Sequence, residues 1–206
     1  MHRPVFALHT VLFPGLPLSL RVFEERYLSL LDEVLPDGSF VVVAIRRGHE
    51  VAGPAEPYRV GVTVGITDHE ADVDGAVRLE VQAADRVALI EPVGSGDPFP
   101  RWRVAPYPDE GGAGTDDVEG AAEALRRYLA AIGEEGRPVI PNDPVTASWV
   151  IAAAVPGLVA DRQQLLEVPG AGERLAVARA RLVTEARLVS TLGSGVAGAD
   201  LGVNPN

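Results

Sequence analysis

The chain has 206 residues, of which 47% are apolar and 23% charged, and its formal net charge is −11, with 18 arginines, no lysine and no cysteine. That length suffices for one large domain or two small ones with a buried core. The excess of acidic residues argues against nucleic acid and anionic membranes as partners. Without cysteine the chain cannot form disulfides or thiolate metal sites, and without lysine it cannot form a Schiff base, a Walker A site or a Ser-Lys dyad.

The first half of the chain predicts β-structure interrupted by one helix. The alternation of Val60, Val62, Val64 and Ile66 is typical of a strand with one buried face. Apolar stretches of strand length occupy 4–9, 17–23, 39–45, 58–67, 76–93 and 101–107. We expect 76–93 to form two strands around a turn at Ala84-Asp85. Six or seven short strands with one small helix are typical of a β-barrel.

The helix within this half is predicted at 24–35. Tyr27, Leu30, Leu31 and Val34 recur at helical spacing and indicate one buried face. A hairpin turn is predicted at Asp74-Gly75.

The second half predicts helices. A polar, glycine-rich stretch at 106–117 marks a change in composition and indicates a linker. Helical patterns with capping residues follow at 116–133, 142–155, 161–168 and 172–192. The predicted organisation is therefore a β subdomain at 1–107, a linker at 108–117, a helical subdomain at 118–192 and a flexible tail at 193–206. The fold class is α+β.

No constellation of catalytic or metal-binding residues is apparent. The four histidines do not pair at metal-ligand spacing, and neither a GxSxG elbow nor a GxGxxG motif in a βαβ context occurs. We therefore expect no enzymatic activity, no cofactor and no metal. No signal peptide or membrane-length apolar run is recognisable, so a cytoplasmic protein is expected.

The stretch LFPGLP at 12–17 is the most unusual one in the chain. Turns lie at the surface, so Leu12, Phe13 and Leu16 around Pro14 and Gly15 either fold back onto the strands or leave an apolar patch. Exposed apolar patches mark binding sites. Both interpretations remain open from the sequence.

Several motifs in the same order resemble the N-terminal substrate-binding domain of Lon proteases. They are Leu12-Phe13-Pro14-Gly15, Phe23-Glu24-Glu25-Arg26-Tyr27, the apolar strand ending in Arg46-Arg47-Gly48, and the segment NDPVTASWVIAAAVPGLVADRQQLLEVPGAGERL. The resemblance covers about residues 4–192. It implies a PUA-like β-barrel followed by a helical bundle. It also implies that Phe23 and Tyr27 pin the helix to the barrel, with Arg26 pairing with a carboxylate such as Glu24 or with one across the barrel.

The resemblance implies a role in recognising protein clients. The 206 residues hold no ATPase or peptidase module, so we expect a stand-alone, non-catalytic recognition protein. Its partners would be unfolded or specific client proteins, with a separate protease or chaperone and a homodimer as further possibilities. The expected binding residues are Leu12, Phe13, Pro14, Leu16, Arg46 and Arg47. The alternative is a small-molecule or RNA-binding PUA-like domain, which a deep pocket or a basic groove gathering Arg46, Arg47 and Arg59 would favour.

Overall fold

The computed structural model describes residues 1–35, 38–48, 55–94, 96–134, 136 and 138–197, with side chains up to 191. Within these ranges the first half contains seven strands and one helix. Their bounds are β1 His2–Leu8, β2 Pro17–Val22, α1 Glu25–Val34, β3 Ser39–Arg47, β4 Glu56–Pro57, β5 Val60–Ala71, β6 Val77–Val93 and β7 Arg101–Pro106.

Strand pairing closes on itself. The order is β1-β7-β6-β5-β3, and β3 pairs back to β1 in parallel, while the other pairs in this ring are antiparallel. Strands β2 and β4 lie outside the ring, on β6 and β3 respectively. Successive residues of β1 and β3 consequently alternate between two buried clusters. In β3, Phe40 and Val42 belong to the larger cluster, and Val41 and Val43 belong to the smaller one. Strand β3 is therefore buried on both faces.

The prediction of a turn at Ala84-Asp85 is wrong, because β6 runs unbroken through both residues. Val62 of β5 lies opposite Arg86, whereas Val64 lies opposite Ala83. Ala84 and Asp85 therefore face the single residue between Val62 and Val64, which is a β-bulge. The hairpin predicted at Asp74-Gly75 is confirmed: Gly75 has φ +85° and its N–H donates to the Asp72 carbonyl at 3.1 Å.

Helix α1 buries the predicted face of Tyr27, Leu30, Leu31 and Val34. The Tyr27 ring stacks on Phe6 with ring centroids 3.8 Å apart. The ion pair of Arg26 with Glu24 is confirmed at 3.0 Å.

The expected role of Phe23 is wrong, because its side chain is 55% exposed. Val22 ends β2 and is buried, and successive strand residues point to opposite faces, so Phe23 turns outward. Tyr27 alone of the predicted pair packs α1 against the sheet.

Four helices follow: α2 Thr115–Ala131, α3 Pro144–Ala154, α4 Val159–Glu167 and α5 Ala171–Ala197. Helix α3 begins as its sequence predicts, since the Asp143 carboxylate accepts from the Thr146 N–H at 2.8 Å. Helix α5 continues to Ala197, so the segment predicted as a tail from 193 begins as helix, and 198–206 lie outside the described residues. None of the helices described for this chain is long and apolar enough to cross a membrane.

The larger buried cluster joins the strands to the helices. It includes Phe13 from the loop before β2, Val62 from β5, Trp149 from α3 and Leu175 from α5. The smaller cluster lies on the opposite face of β1 and β3, with Val87 and further residues of β6 and β7. The two halves of the sequence thus share one core.

Candidate functional site

The LFPG turn packs inward, which decides between the two interpretations left open by the sequence and corrects the prediction of Phe13 as a binding residue. Leu12 is 7% exposed and Phe13 is fully buried, with its ring centroid 6.1 Å from that of Trp149. Only Gly15 at the tip is exposed, and its φ of +80° explains why glycine occupies the position. Two backbone hydrogen bonds hold the turn against Ala83 of β6. The Gly15 N–H donates to the Ala83 carbonyl at 3.1 Å, and the Ala83 N–H donates to the Leu16 carbonyl at 2.9 Å. This attachment aims Phe13 into the core.

The remaining predicted residues do not form one surface. Pro14 and Leu16 are half-buried, whereas Arg46 and Arg47 are exposed at the far end of β3. Arg46 pairs with Glu56 of β4, and Arg47 borders a shallow depression beside Trp102. Because a strand rises about 3.3 Å per residue, these arginines lie roughly 25 Å from the start of β3.

A half-open cleft of about 680 Å³ lies where the sheet meets the helices. Its walls come from the N-terminus of β1, the start of β3, the bulged stretches of β5 and β6, the end of β7 and helix α3. Its lining is mostly apolar, with Pro14, Val64, Val87, Ala105, Pro106, Tyr107, Val145 and Trp149, and its polar and charged members are Arg3, Ser39, Thr63, Asp85, Arg86 and Asp109. Among the predicted binding residues, Pro14 borders this cleft. Preformed concave sites with apolar walls and a few polar groups are the usual form of binding sites.

Arg86 and Asp109 line the cleft, and the buried Arg174 joins them from behind its wall. Arg86 of β6 and Arg174 of α5 have side chains 1% and 0% exposed, and both donate to the same oxygen, Oδ1 of Asp109, at 2.8 and 2.7 Å. The guanidinium carbon of Arg174 lies 3.1 Å from the Trp149 ring centroid. This arrangement connects strand, loop and helix at one point.

Backbone carbonyls complete the coordination of these guanidiniums. Arg86 donates to the carbonyls of Leu166 and Val168 at 2.7 and 2.9 Å, and Arg174 donates to Ser148 Oγ at 3.0 Å. Burial lowers the pKa of Arg174 to about 10, Asp109 opposing this shift and Arg86 adding to it. Burial likewise lowers the pKa of Arg86, and Asp109 opposes the shift. Both guanidiniums remain charged at neutral pH.

Sequence reasoning missed the cleft and this arginine pair. The residues that line the cleft come from Met1 to Trp149, and the two arginines of the pair are 88 positions apart. Asp109 lies in the stretch predicted as a linker, where an acidic residue is ordinarily solvated. No local pattern marks such residues, since their pairing depends on the tertiary fold.

The profile of the ATP-dependent protease La (LON) substrate-binding domain matches residues 2–182. The chain belongs to this family. The family is described as the substrate-binding domain of that protease and not as its peptidase part. Membership in the LON substrate-binding domain family confirms the resemblance seen in the sequence.

Full-length Lon proteases are among the relatives of this LON substrate-binding domain. Lon protease 2 of Syntrophobacter fumaroxidans is 28% identical over 169 residues, which are 77% of this chain and 21% of that protein. The Lon protease of Elusimicrobium minutum is 28% identical over 194 residues, 87% of this chain and 23% of that protein. The chain therefore spans less than a quarter of the length of these two relatives.

Solved structures show the same fold. The Lon N-terminal domain protein from Xanthomonas campestris superposes with a TM-score of 0.63 at 24% identity, covering 85% of this chain and 95% of that one. The N-terminal domain of a Mycobacterium avium complex Lon protease has a TM-score of 0.63 at 17% identity, covering 88% and 98%. The chain thus has the Lon N-terminal domain fold.

Proposed function

We propose that this chain is a protein-recognition domain and that its cleft receives an extended, largely apolar segment of a client protein. The observation that carries the proposal is the preformed cleft with its apolar walls, in a chain of the substrate-binding family. Unfolded clients expose apolar segments, and a groove lined by proline, valine and aromatic side chains would bury them. A separate protease or chaperone would receive the bound client.

The proposed organisation assigns different roles to the two halves. We interpret the closed ring of strands as the PUA-like barrel and the four helices as the bundle, with 108–117 connecting them. In this interpretation the barrel supplies most of the cleft walls and α3 adds Val145 and Trp149. Asp109 holds the connecting segment against both halves, so the cleft exists before a client arrives. A preformed site lowers the entropic cost of binding.

The test fills the cleft without disturbing the core. Ala84 is exposed at the bulge and borders the cleft, so Ala84→Trp places a large side chain in the proposed binding volume. Binding of a fluorescently labelled, permanently unfolded model protein should weaken about tenfold or more, because the lost contact area cannot be recovered elsewhere. Fluorescence anisotropy gives the Kd.

The matched control is Ala71→Trp, because Ala71 is also an exposed strand residue but lies outside the cleft. It should bind the model protein as the parent does. If Ala84→Trp is folded by circular dichroism and binds with unchanged Kd, clients do not use this cleft.

Small-molecule binding is the second candidate, because a volume of about 680 Å³ also suits a compact organic ligand. A small ligand of this cleft would compete with the unfolded model protein and would lose affinity in Ala84→Trp. RNA binding receives no comparable support. Arg47 and Arg59 both lie beside Trp102, over which the Arg59 guanidinium stacks at 5.0 Å, but the depression there also holds Glu56, which pairs with Arg46.

A further inference from the structure

The β-bulge in β6 places Asp85 at the wall of the cleft, where it lies beside Thr63. The Asp85 N–H donates to Thr63 Oγ1 at 3.2 Å, and the same hydroxyl is within hydrogen-bond distance of the Asp85 carbonyl, also at 3.2 Å. These contacts satisfy backbone groups that the bulge removes from the strand ladder. Bulges characteristically redirect a side chain, and the Thr63 contacts fix the position from which the Asp85 side chain leaves the strand.

The Asp85 carboxylate is available to a ligand. It is exposed, and within the described ranges no cation or hydrogen-bond donor contacts it. The other carboxylate lining the cleft, that of Asp109, is already occupied by Arg86 and Arg174. Asp85 therefore contributes an uncompensated negative charge to an otherwise largely apolar cleft.

The cations that line the cleft are Arg3, Arg86 and the Met1 ammonium group, and each donates to protein atoms other than the Asp85 carboxylate. The Met1 ammonium donates to the Val104 carbonyl at 3.4 Å. Arg86 is buried and its two terminal nitrogens donate to protein oxygens. Arg3 borders the cleft at the start of β3, where Nη1 donates to Ser39 Oγ at 3.0 Å. Ser39 lies opposite Gly65, two residues along β5 from Thr63. A cationic ligand group is thus favoured beside Asp85, and a second one is disfavoured beside Arg3.

We propose that Asp85 is a specificity-determining residue that selects client segments carrying one lysine or arginine next to an apolar stretch. This inference rests on the proposed function. The apolar part of the segment would contact walls such as Val87 and Tyr107, while its ammonium or guanidinium group would pair with Asp85. The net charge of −11 attracts such segments over longer distances.

A thermodynamic cycle between chain and ligand tests the pairing. Two labelled peptides of about ten residues share a leucine- and valine-rich core and differ in one flanking residue, lysine or its uncharged counterpart glutamine. The parent chain should bind the lysine peptide about two- to fivefold more tightly at low salt, as expected for an accessible ion pair. Asp85→Asn should abolish this preference, and 1 M salt should weaken it in the parent.

Asp32→Asn is the control, because Asp32 is exposed on α1 outside the cleft and its substitution removes the same charge. It should retain the full lysine preference, which separates a local pairing from the effect of net charge. Arg3→Gln should also retain it.

The outcomes separate this inference from the proposed function. If Ala84→Trp weakens both peptides but Asp85→Asn keeps the parent's lysine preference, the cleft binds clients and Asp85 does not select them. If Ala84→Trp leaves both peptides unaffected, the proposed function itself is wrong. An equal loss of preference in Asp32→Asn and Asp85→Asn would show that only net charge matters and would overturn the role of Asp85.

Discussion

Asp109 is the residue on which the largest buried charge cluster depends. One of its oxygens accepts from both Arg86 and Arg174, and its own side chain is 24% exposed. Burial in a low-dielectric region disfavours the charged form and lowers the pKa of both arginines, Asp109 opposes the shift in each, and Arg86 adds to the shift of Arg174. The carbonyls around them and the Trp149 ring reduce this cost without removing it.

Asp109→Asn should therefore destabilise the chain strongly. The substitution keeps the shape of the side chain but removes the only carboxylate that contacts either guanidinium in the described ranges. Breaking a buried ion pair from one side costs about 3 kcal/mol or more in free energy of unfolding. Urea denaturation followed by circular dichroism measures the change.

The control is Glu91→Gln, which interrupts the exposed pair of Glu91 with Arg103. Exposed pairs contribute little, so its unfolding curve should overlay that of the parent. An Asp109→Asn variant as stable as Glu91→Gln would mean that the carbonyls alone suffice for the two arginines.

Gly61 of β5 lies close against β3. A Cβ atom at this position would lie 2.5 Å from the Val42 carbonyl oxygen and 3.1 Å from the Val43 side chain. At Gly65, four residues along the same strand, a Cβ atom would meet nothing within 4 Å. Strand packing thus requires glycine at position 61 but not at position 65.

Gly61→Ala is expected to lower the free energy of unfolding by about 2 kcal/mol, because the strands must separate to admit the methyl group. Gly65→Ala, the same substitution in the same strand, should be neutral or slightly stabilising, since alanine restricts the unfolded chain. Thermal unfolding of both variants tests the difference. Equal midpoints would show that β5 can shift without cost.

The periodicity of the sequence predicted those features that depend on residues close together in the chain. The buried face of α1 and the Asp143 cap of α3 follow from spacings of three and four residues. The break at Ala84-Asp85 was visible too, but a turn and a bulge interrupt alternation in the same way, and only the pairing with β5 distinguishes them. The direction of Phe13 likewise depends on hydrogen bonds to β6 some 70 positions away.

Taken together, strands and helices form one packed structure. The larger buried cluster draws residues from β1, β3, β5 and β6 as well as from all five helices. Arg86, Tyr107 and Gln163 add polar links between the halves; the Gln163 amide, for example, donates to the Val60 carbonyl at 2.9 Å. Neither half can bury its apolar surface without the other.

We therefore expect the two halves to unfold in a single transition. Each half contains one tryptophan, Trp102 in β7 and Trp149 in α3, so Trp102→Phe and Trp149→Phe each leave one local fluorescence reporter. In each variant the fluorescence curve should coincide with the far-ultraviolet circular dichroism curve. A shared cooperative core would be contradicted if the Trp149 fluorescence of the Trp102→Phe variant changed before the circular dichroism of that variant, while the Trp102 fluorescence of Trp149→Phe still followed the dichroism of its own variant.

The arrangement of Arg86, Asp109 and Arg174 also constrains how this sequence can diverge. Loss of the Asp109 carboxylate leaves two buried guanidiniums without a counter-charge. Loss of one arginine leaves a cavity and leaves the oxygens that accepted its hydrogen bonds without a donor. A concerted exchange of all three for apolar residues of similar volume can be neutral or even favourable, as with other buried ionic triads. The three positions should consequently change together across descendants of this chain. Single substitutions between the two arrangements would be counter-selected, so the positions form an epistatic unit that spans a strand, a loop and a helix.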